Sequence, residues 1–297
     1  MIEKIKQILH TENISFDNIT KSTSGFTNEV FFVDNKYVIK VVAARSKPEK
    51  IQKEIAFYKN VKLPFIPEYV SSGKIDNLDY LIIKKINGDS LYSIWHKLDN
   101  HTRKKACIDI AKILCDFHKN SGEFLTEKYV IKDWILKWQK SFSLNINILE
   151  KRGFDVEFLK DFQNTKLDKI MSEQKLGLVY NDAHFDNFIL SEDKLYLIDF
   201  DRVLFGSIDY ELLILKSMLD NPCKFASEVD EPNVKIEDYK NIYEIIKETY
   251  ADMFEFEFLD DRIFIYQFIY NLGNAYEYDR NEWIKTELEK FKTRFCE

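Results

Sequence analysis

The chain reads YNDAHFDN over residues 180–187 and DFD over residues 199–201. Two apolar runs lie between these motifs and flank the polar residues 191–194, a pattern typical of a β-hairpin. A turn at these polar residues places Asn187 opposite Ile198. Asn187 and Asp199 are then diagonal neighbours, with Cα atoms about 7–8 Å apart. The sequence therefore predicts that both motifs meet at the open end of one hairpin.

These motifs carry the oxygen atoms that a hard cation prefers. Amide and carboxylate oxygens suit magnesium, so an ion would fit between Asn187 and Asp199. Asp182 lies in the loop that enters the hairpin, where a carboxylate can accept a hydroxyl proton beside the metal. The competing interpretation is that each of these residues is an ordinary turn former or helix cap.

A second candidate site lies near the amino terminus. Residues 30–33 and 37–42 read as a β-hairpin, and a capping-box pattern at residues 46–49 opens a helix that runs to about residue 60. Lys40 has apolar neighbours on both strand faces, and a desolvated ammonium needs an anionic partner. Glu54 lies close to the apolar stripe of the helix, which predicts an ion pair between the two. Alternatively, Lys40 reaches water and Glu54 lies on the helix flank.

Helices dominate the chain after a further strand at residues 80–83. The tail from about residue 236 is helical and rich in aromatic residues. The change from mixed to helical pattern near residues 84–90 predicts a boundary between two lobes, which makes the fold class α+β.

Composition excludes several classes of protein. The 297 residues are 45% hydrophobic, enough for a core, and the net charge of −7 argues against nucleic acid as a partner. No apolar run reaches the roughly 18–20 residues that span a bilayer, so no membrane partner is expected. The four cysteines show neither zinc nor C-x-x-C spacing. We interpret them as free thiols and expect a cytoplasmic protein.

The motif Asp182-x-x-x-x-Asn187, followed by Ile198-Asp199-Phe200, resembles the catalytic and metal loops of the aminoglycoside phosphotransferase family. That family belongs to a wider group with a protein-kinase-like fold, which includes choline and ethanolamine kinases. The resemblance implies a bilobal fold. A small β-rich lobe with one helix, residues 1–86, would bind nucleotide. A larger, mainly helical lobe, residues 87–297, would carry the catalytic loop, the metal site and the acceptor-binding helices.

The resemblance also implies roles for particular residues. Asp182 would be the catalytic base, and Asn187 and Asp199 would hold Mg²⁺. Lys40, oriented by Glu54, would bind the phosphates of ATP or GTP. The nucleotide loop and the hinge would contribute the remaining nucleotide contacts, from Ser24, Gly25, Thr27, Lys84 and Ile86. Tyr180 stands where the family commonly has histidine, and Asp201 ends the metal tripeptide in place of the usual residue.

The acceptor is expected to be a small, hydroxyl-bearing cation. Residues 228–261 contain 12 acidic and three basic residues, interleaved with aromatic side chains. Carboxylates and aromatic faces suit a cationic ligand, although the same pattern is typical of a solvated helix face over an aromatic core. We expect an aminoglycoside-like acceptor and a protein that is a monomer or a homodimer. The alternatives are a choline, ethanolamine or other amino-alcohol kinase, an inactive nucleotide-binding regulator and a metal-dependent phosphoesterase.

Overall fold

The computed structural model describes residues 1–22, 28–42 and 48–296. The elements of the amino-terminal part are α1 (Ile2–Thr11), β1 (Ile19–Lys21), β2 (Asn28–Val33), β3 (Tyr37–Val42), α2 (Pro48–Asn60), β4 (Tyr69–Ile75) and β5 (Leu78–Lys84). The strands form one antiparallel sheet in the order β1-β2-β3-β5-β4. The predicted hairpin is therefore β2–β3, and the predicted helix is α2. The predicted capping residue, Ser46, lies outside the described residues.

Alternation along β3 decides which face of the sheet carries Lys40. Ile39 and Val41 are fully buried in a cluster with Ile5 and Ile8 of α1. Because successive side chains of a strand point to opposite faces, Lys40 points to the other face, where α2 packs. The strand thus directs an ammonium toward the second part of the molecule.

The carboxyl-terminal part is mainly helical. Its elements are β6 (Asp89–Ser90), α3 (Leu91–Ile94), α4 (Asn100–His118), α5 (Trp134–Lys151), α6 (Glu157–Thr165), α7 (Leu167–Met171), β7 (Leu176–Val179), β8 (Phe188–Ser191), β9 (Lys194–Leu197), β10 (Leu204–Ser207), α8 (Leu212–Asp220), α9 (Ile242–Thr249), α10 (Leu259–Glu277) and α11 (Asn281–Phe295). Two small sheets, β6-β8-β9 and β10-β7, lie among these helices. Within the described ranges, no helix combines the length and the apolar character needed to cross a bilayer.

The β8–β9 hairpin has the predicted register. Phe188 pairs with Leu197, and the ladder continues beyond the strand ends because the Ile198 N–H donates to the Asn187 carbonyl at 3.0 Å. Asn187 and Asp199 therefore lie at the open end of this hairpin, as the sequence pattern requires.

Phe200 joins the two parts of the core. Its ring stacks on Phe57 of α2 with centroids 4.0 Å apart, and it lies 6.0 Å from the parallel ring of Phe117 in α4. All three rings are fully buried. Phe200 thus packs residues 199–201 against helices from both parts of the chain.

Candidate functional site

Lys40 lies between two carboxylates. Its Nζ donates to Glu54 Oε1 at 2.7 Å and to Asp199 Oδ1 at 3.0 Å. Although burial opposes the charge, the carboxylates of Asp199 and Glu54 raise the pKa of Lys40 above its ordinary value. Burial also raises the pKa of Glu54, against the attraction of Lys40. The predicted contact between Lys40 and Glu54 is present, and it extends to the candidate metal residue.

Lys40 keeps a donor for a further ligand. An ammonium has three N–H donors, and the two carboxylates use two of them. The Asp199 side chain is 37% exposed, whereas that of Glu54 is fully buried. Asp199 also has a left-handed backbone, with φ of +64°, a conformation that costs energy and is concentrated at functional sites. The Asp199 side of the Lys40 cluster is therefore open to a ligand, whereas the Glu54 side is closed to solvent.

Asp182 and Asn187 form the second half of the site. The Asn187 side-chain N–H₂ donates to both the Asp182 carbonyl and Asp182 Oδ2, each at 3.0 Å. It also lies 3.1 Å from His184 Nε2. Because the amide nitrogen makes these hydrogen bonds, the amide oxygen of Asn187 remains available to coordinate a cation. The structure thus brings the predicted base and the predicted metal ligand into direct contact.

Arg202 is a member of this cluster that sequence reasoning missed. Its Nη1 donates to Asp182 Oδ1 at 3.2 Å, and its guanidinium lies 5.7 Å from the centroid of Tyr270. Burial alone would raise the pKa of Asp182, but His184 and the charge of Arg202 lower it overall. Asp182 is therefore held in its ionised form, which a proton acceptor requires.

Tyr180 and Glu211 hold the loop of Asp182 in place. The Tyr180 hydroxyl, in a fully buried side chain, donates to the Ile198 carbonyl at 2.6 Å. Glu211 accepts hydrogen bonds from the backbone N–H groups of Tyr180 and Asn181, at 2.8 and 3.0 Å. These bonds support Asn181 in a left-handed conformation with φ of +61°. Tyr180 therefore connects the loop of Asp182 to the strand end before Asp199. The role of Glu211 was not predicted from the sequence.

Asp209 belongs to a separate, structural network. Its buried carboxylate accepts hydrogen bonds from Arg262 Nε at 2.7 Å and from the Tyr266 hydroxyl at 2.6 Å. These contacts give Asp209 a structural role in joining the segment after β10 to α10.

Three of the predicted nucleotide contacts, Ser24, Gly25 and Thr27, lie outside the described residues. Lys84 is the last residue of strand β5, and Ile86 follows it at the junction of the two parts. The Lys84 N–H is already committed to the Glu68 carbonyl at 2.8 Å. The backbone of Ile86 makes no hydrogen bond to any residue that the structure describes, so it is the better hinge candidate for contacting a base.

The acidic segment 228–261 does not face the site as a whole. Asp238 pairs with Arg103 at 2.6 Å, and Asp261 pairs with Arg294 at 2.7 Å. Asp230 differs, because its charge acts on Asp186 of the catalytic loop. Burial raises the pKa of Asp186, and Asp230 adds to that shift. The segment therefore does not present one acidic face to the site.

Comparison with solved structures supports the expected fold. The streptomycin–ATP ternary complex of APH(2")-IIa aligns over 97% of each chain, with a TM-score of 0.69 and 22% identity. The GDP complex of aminoglycoside 2'-phosphotransferase-IIIa covers 97% of this chain and 96% of its own, with a TM-score of 0.67 and 15% identity. The macrolide 2'-phosphotransferase MphH from Brachybacterium faecium covers 96% of both chains, with a TM-score of 0.62 and 9% identity. The predicted bilobal α+β, kinase-like fold is confirmed.

Comparison of sequences identifies the family. No match was found among curated proteins. The family model described as "Phosphotransferase enzyme family" matches residues 18–230, which include every predicted site residue and most of the chain. The chain therefore belongs to the phosphotransferase enzyme family.

Proposed function

We propose that this protein is a kinase that transfers the γ-phosphoryl group of ATP or GTP to a hydroxyl of a small, cationic acceptor of the aminoglycoside class. The observation that carries the proposal is the juxtaposition of two groups. Asp182, held ionised between Arg202 and Asn187, can accept a proton. Lys40, joined to Asp199, can bind phosphate.

The residues have defined tasks in this reaction. Asp182 accepts the proton of the acceptor hydroxyl as its oxygen attacks the γ-phosphorus and the bond to the β-phosphate oxygen breaks. Lys40 uses its remaining donor on a phosphate oxygen and is held in position by Glu54. Most of the rate enhancement then comes from positioning the reactants and neutralising the phosphate charge.

Asn187 and Asp199 fit the magnesium ion that such a reaction uses. They offer one amide oxygen and one carboxylate, and magnesium is commonly held by one or two protein oxygens together with water and substrate phosphates. No group of three or more His, Cys, Asp or Glu residues placed for a metal occurs in the part of the chain that the structure describes. The ion, when bound, supplies charge neutralisation at the phosphates.

The acceptor class rests on charge next to the catalytic loop. Asp186, which precedes Asn187, accepts a hydrogen bond from Ser90 at 3.1 Å and lies within the field of Asp230. Negative charge beside the Asp182 loop favours an amine-bearing acceptor. Related structures include complexes of aminoglycoside phosphotransferases with gentamicin, streptomycin and kanamycin.

The test is a nucleotide-turnover screen with magnesium and either ATP or GTP. The panel contains aminoglycosides, a macrolide, choline and ethanolamine. We expect acceptor-dependent turnover with an aminoglycoside, and none with Asp182→Ala, which retains nucleotide binding. Turnover with choline or ethanolamine alone would instead support an amino-alcohol kinase. Nucleotide binding without transfer to any acceptor would support an inactive regulator.

We also propose a lobe boundary between residues 86 and 87, a cytoplasmic location and a monomeric or homodimeric state. The boundary follows the last strand of the five-stranded sheet, β5. All four cysteines are free thiols, which supports a reducing compartment. Limited proteolysis and measurement of the mass in solution would test the boundary and the oligomeric state.

A further inference from the structure

Asp201 is a buried carboxylate that the proposed reaction does not use. It lies two residues after Asp199 and is 4% exposed. A carboxylate in such surroundings needs a cationic partner, because removal from water is costly. Lys50 of α2 provides one, with Nζ 3.4 Å from Asp201 Oδ2. The acidic third residue of the metal tripeptide thus forms an ion pair with a helix of the amino-terminal part.

The charge of Asp201 also acts on a second lysine of α2, Lys53. Burial lowers the pKa of Lys53 to about 8, and the charge of Asp201 opposes that decrease. The Lys53 ammonium also lies 4.1 Å from the ring centroid of Tyr129. Lys50 and Lys53 are three residues apart and therefore share one side of the helix. The direct contact of Asp201 with α2 is therefore the ion pair with Lys50, and Lys53 lies on the same side of the helix.

The segment around Asp199 already holds α2 further along the helix. The Phe200 N–H donates to Glu54 Oε1 at 3.3 Å, and the Phe200 ring stacks on Phe57. The ion pair of Lys50 and Asp201 adds a contact one turn before Glu54. Residues 200 and 201 thus contact α2 on both sides of the glutamate that binds Lys40.

We propose that Asp201 is a positioning residue for the nucleotide site. By holding Lys50, it fixes the amino-terminal half of α2 and keeps Glu54 against Lys40, so that the ammonium points at the phosphates. The inference rests on the proposed role of Lys40 in nucleotide binding. It gives a role to Asp201, the residue at which this chain differs from the common metal tripeptide.

The test compares Lys50→Ala, Asp201→Asn and the double variant. The readouts are the dissociation constants of ATP and GTP with magnesium and the KM values of nucleotide and acceptor. Each single variant should weaken nucleotide binding about threefold to tenfold and leave the acceptor KM unchanged. The double variant should be no weaker than the weaker single variant, because both changes remove one contact. Lys50→Arg should retain wild-type affinity, as should the control Lys59→Ala at the exposed end of the same helix.

Several results would overturn the inference. Nucleotide affinities within twofold of wild type in both single variants would refute it, as would effects that add in the double variant. Lys50→Ala keeps the test valid if Asp201→Asn fails to fold, because the Lys50 side chain is 38% exposed. Wild-type protein that binds neither ATP nor GTP would refute the proposed function as well. Normal wild-type binding with unaffected variants would refute this inference alone.

Discussion

Arg202 sets the electrostatic surroundings of the proposed base. Its guanidinium contacts one oxygen of Asp182, while the Asn187 amide contacts the other. Asp182 therefore has a fixed orientation before any acceptor arrives. Burial alone would raise the pKa of Asp182, but the hydrogen bond with His184 and the charge of Arg202 lower it overall, so the carboxylate stays ionised to a lower pH than an ordinary aspartate.

Arg202→Gln should make catalysis more sensitive to acid. Without the positive charge the pKa of Asp182 rises, so the acid limb of the kcat/KM profile should move to higher pH. The measurement is a pH–rate profile for both proteins, with Arg280→Gln as a control at an exposed arginine. An acid limb that stays in place would show that Arg202 does not control the proton acceptor.

Tyr180→Phe should weaken the link between the loop of Asp182 and the backbone that precedes Asp199. The change leaves the carbonyl of the half-buried Ile198 without its hydroxyl donor, which costs about 0.5–1.5 kcal/mol of folding stability. We also expect weaker nucleotide binding, because Asp199 follows that carbonyl. Denaturant unfolding and nucleotide titration measure the two effects. Tyr278→Phe, at a 63% exposed tyrosine, is the control, and equal behaviour of both variants would contradict the assignment.

The β8–β9 hairpin and helix α2 meet at Phe200, which makes the metal motif part of the core. Phe200→Ala should lower the free energy of unfolding by about 3–5 kcal/mol, because it removes a buried ring that stacks on Phe57 and packs beside Phe117. Denaturant unfolding followed by circular dichroism measures the loss. Leu144→Ala is the control at a leucine that is 60% exposed, and a similar small loss in both variants would contradict the assignment.

Local pattern was sufficient to predict the hairpin and the contact between Lys40 and Glu54. A short polar turn between two apolar runs indicates the hairpin. A charged residue within each of two apolar patterns indicates the ion pair. Strand β4 was not predicted, because its residues are mostly half-buried and its sequence contains two serines and a glycine. It forms by pairing with β5, whose apolar residues are buried.

Arg202 and Glu211 could not be predicted for a different reason. Their partners lie 20 and 31 residues away in the chain, and only the return of the chain past the catalytic loop brings them together. For the acidic segment 228–261, the sequence pattern suggested more than the structure shows. Its composition suggested one ligand-binding face, yet tertiary contacts direct Asp238 and Asp261 to basic partners elsewhere.

Both residues of the proposed magnesium site, Asn187 and Asp199, lie in the carboxyl-terminal part, and we expect the fold to form without the ion. The core between the two parts of the molecule is built from aromatic rings, and only Asn187 and Asp199 are assigned to the ion. Removing magnesium with EDTA should therefore abolish phosphoryl transfer while the circular dichroism spectrum stays unchanged. Added magnesium should restore activity. Transfer that continues at full rate in EDTA would contradict the assignment.

The central claim is that Asp182 and Lys40 act on one acceptor and one nucleotide in a common site. The mass of an aminoglycoside after incubation with magnesium and ATP or GTP tests this directly, with wild-type protein and Asp182→Asn in parallel. We predict that the wild type adds the mass of one phosphoryl group and that the variant adds none, although it still binds nucleotide. Phosphorylated acceptor from Asp182→Asn at the wild-type rate would contradict the account.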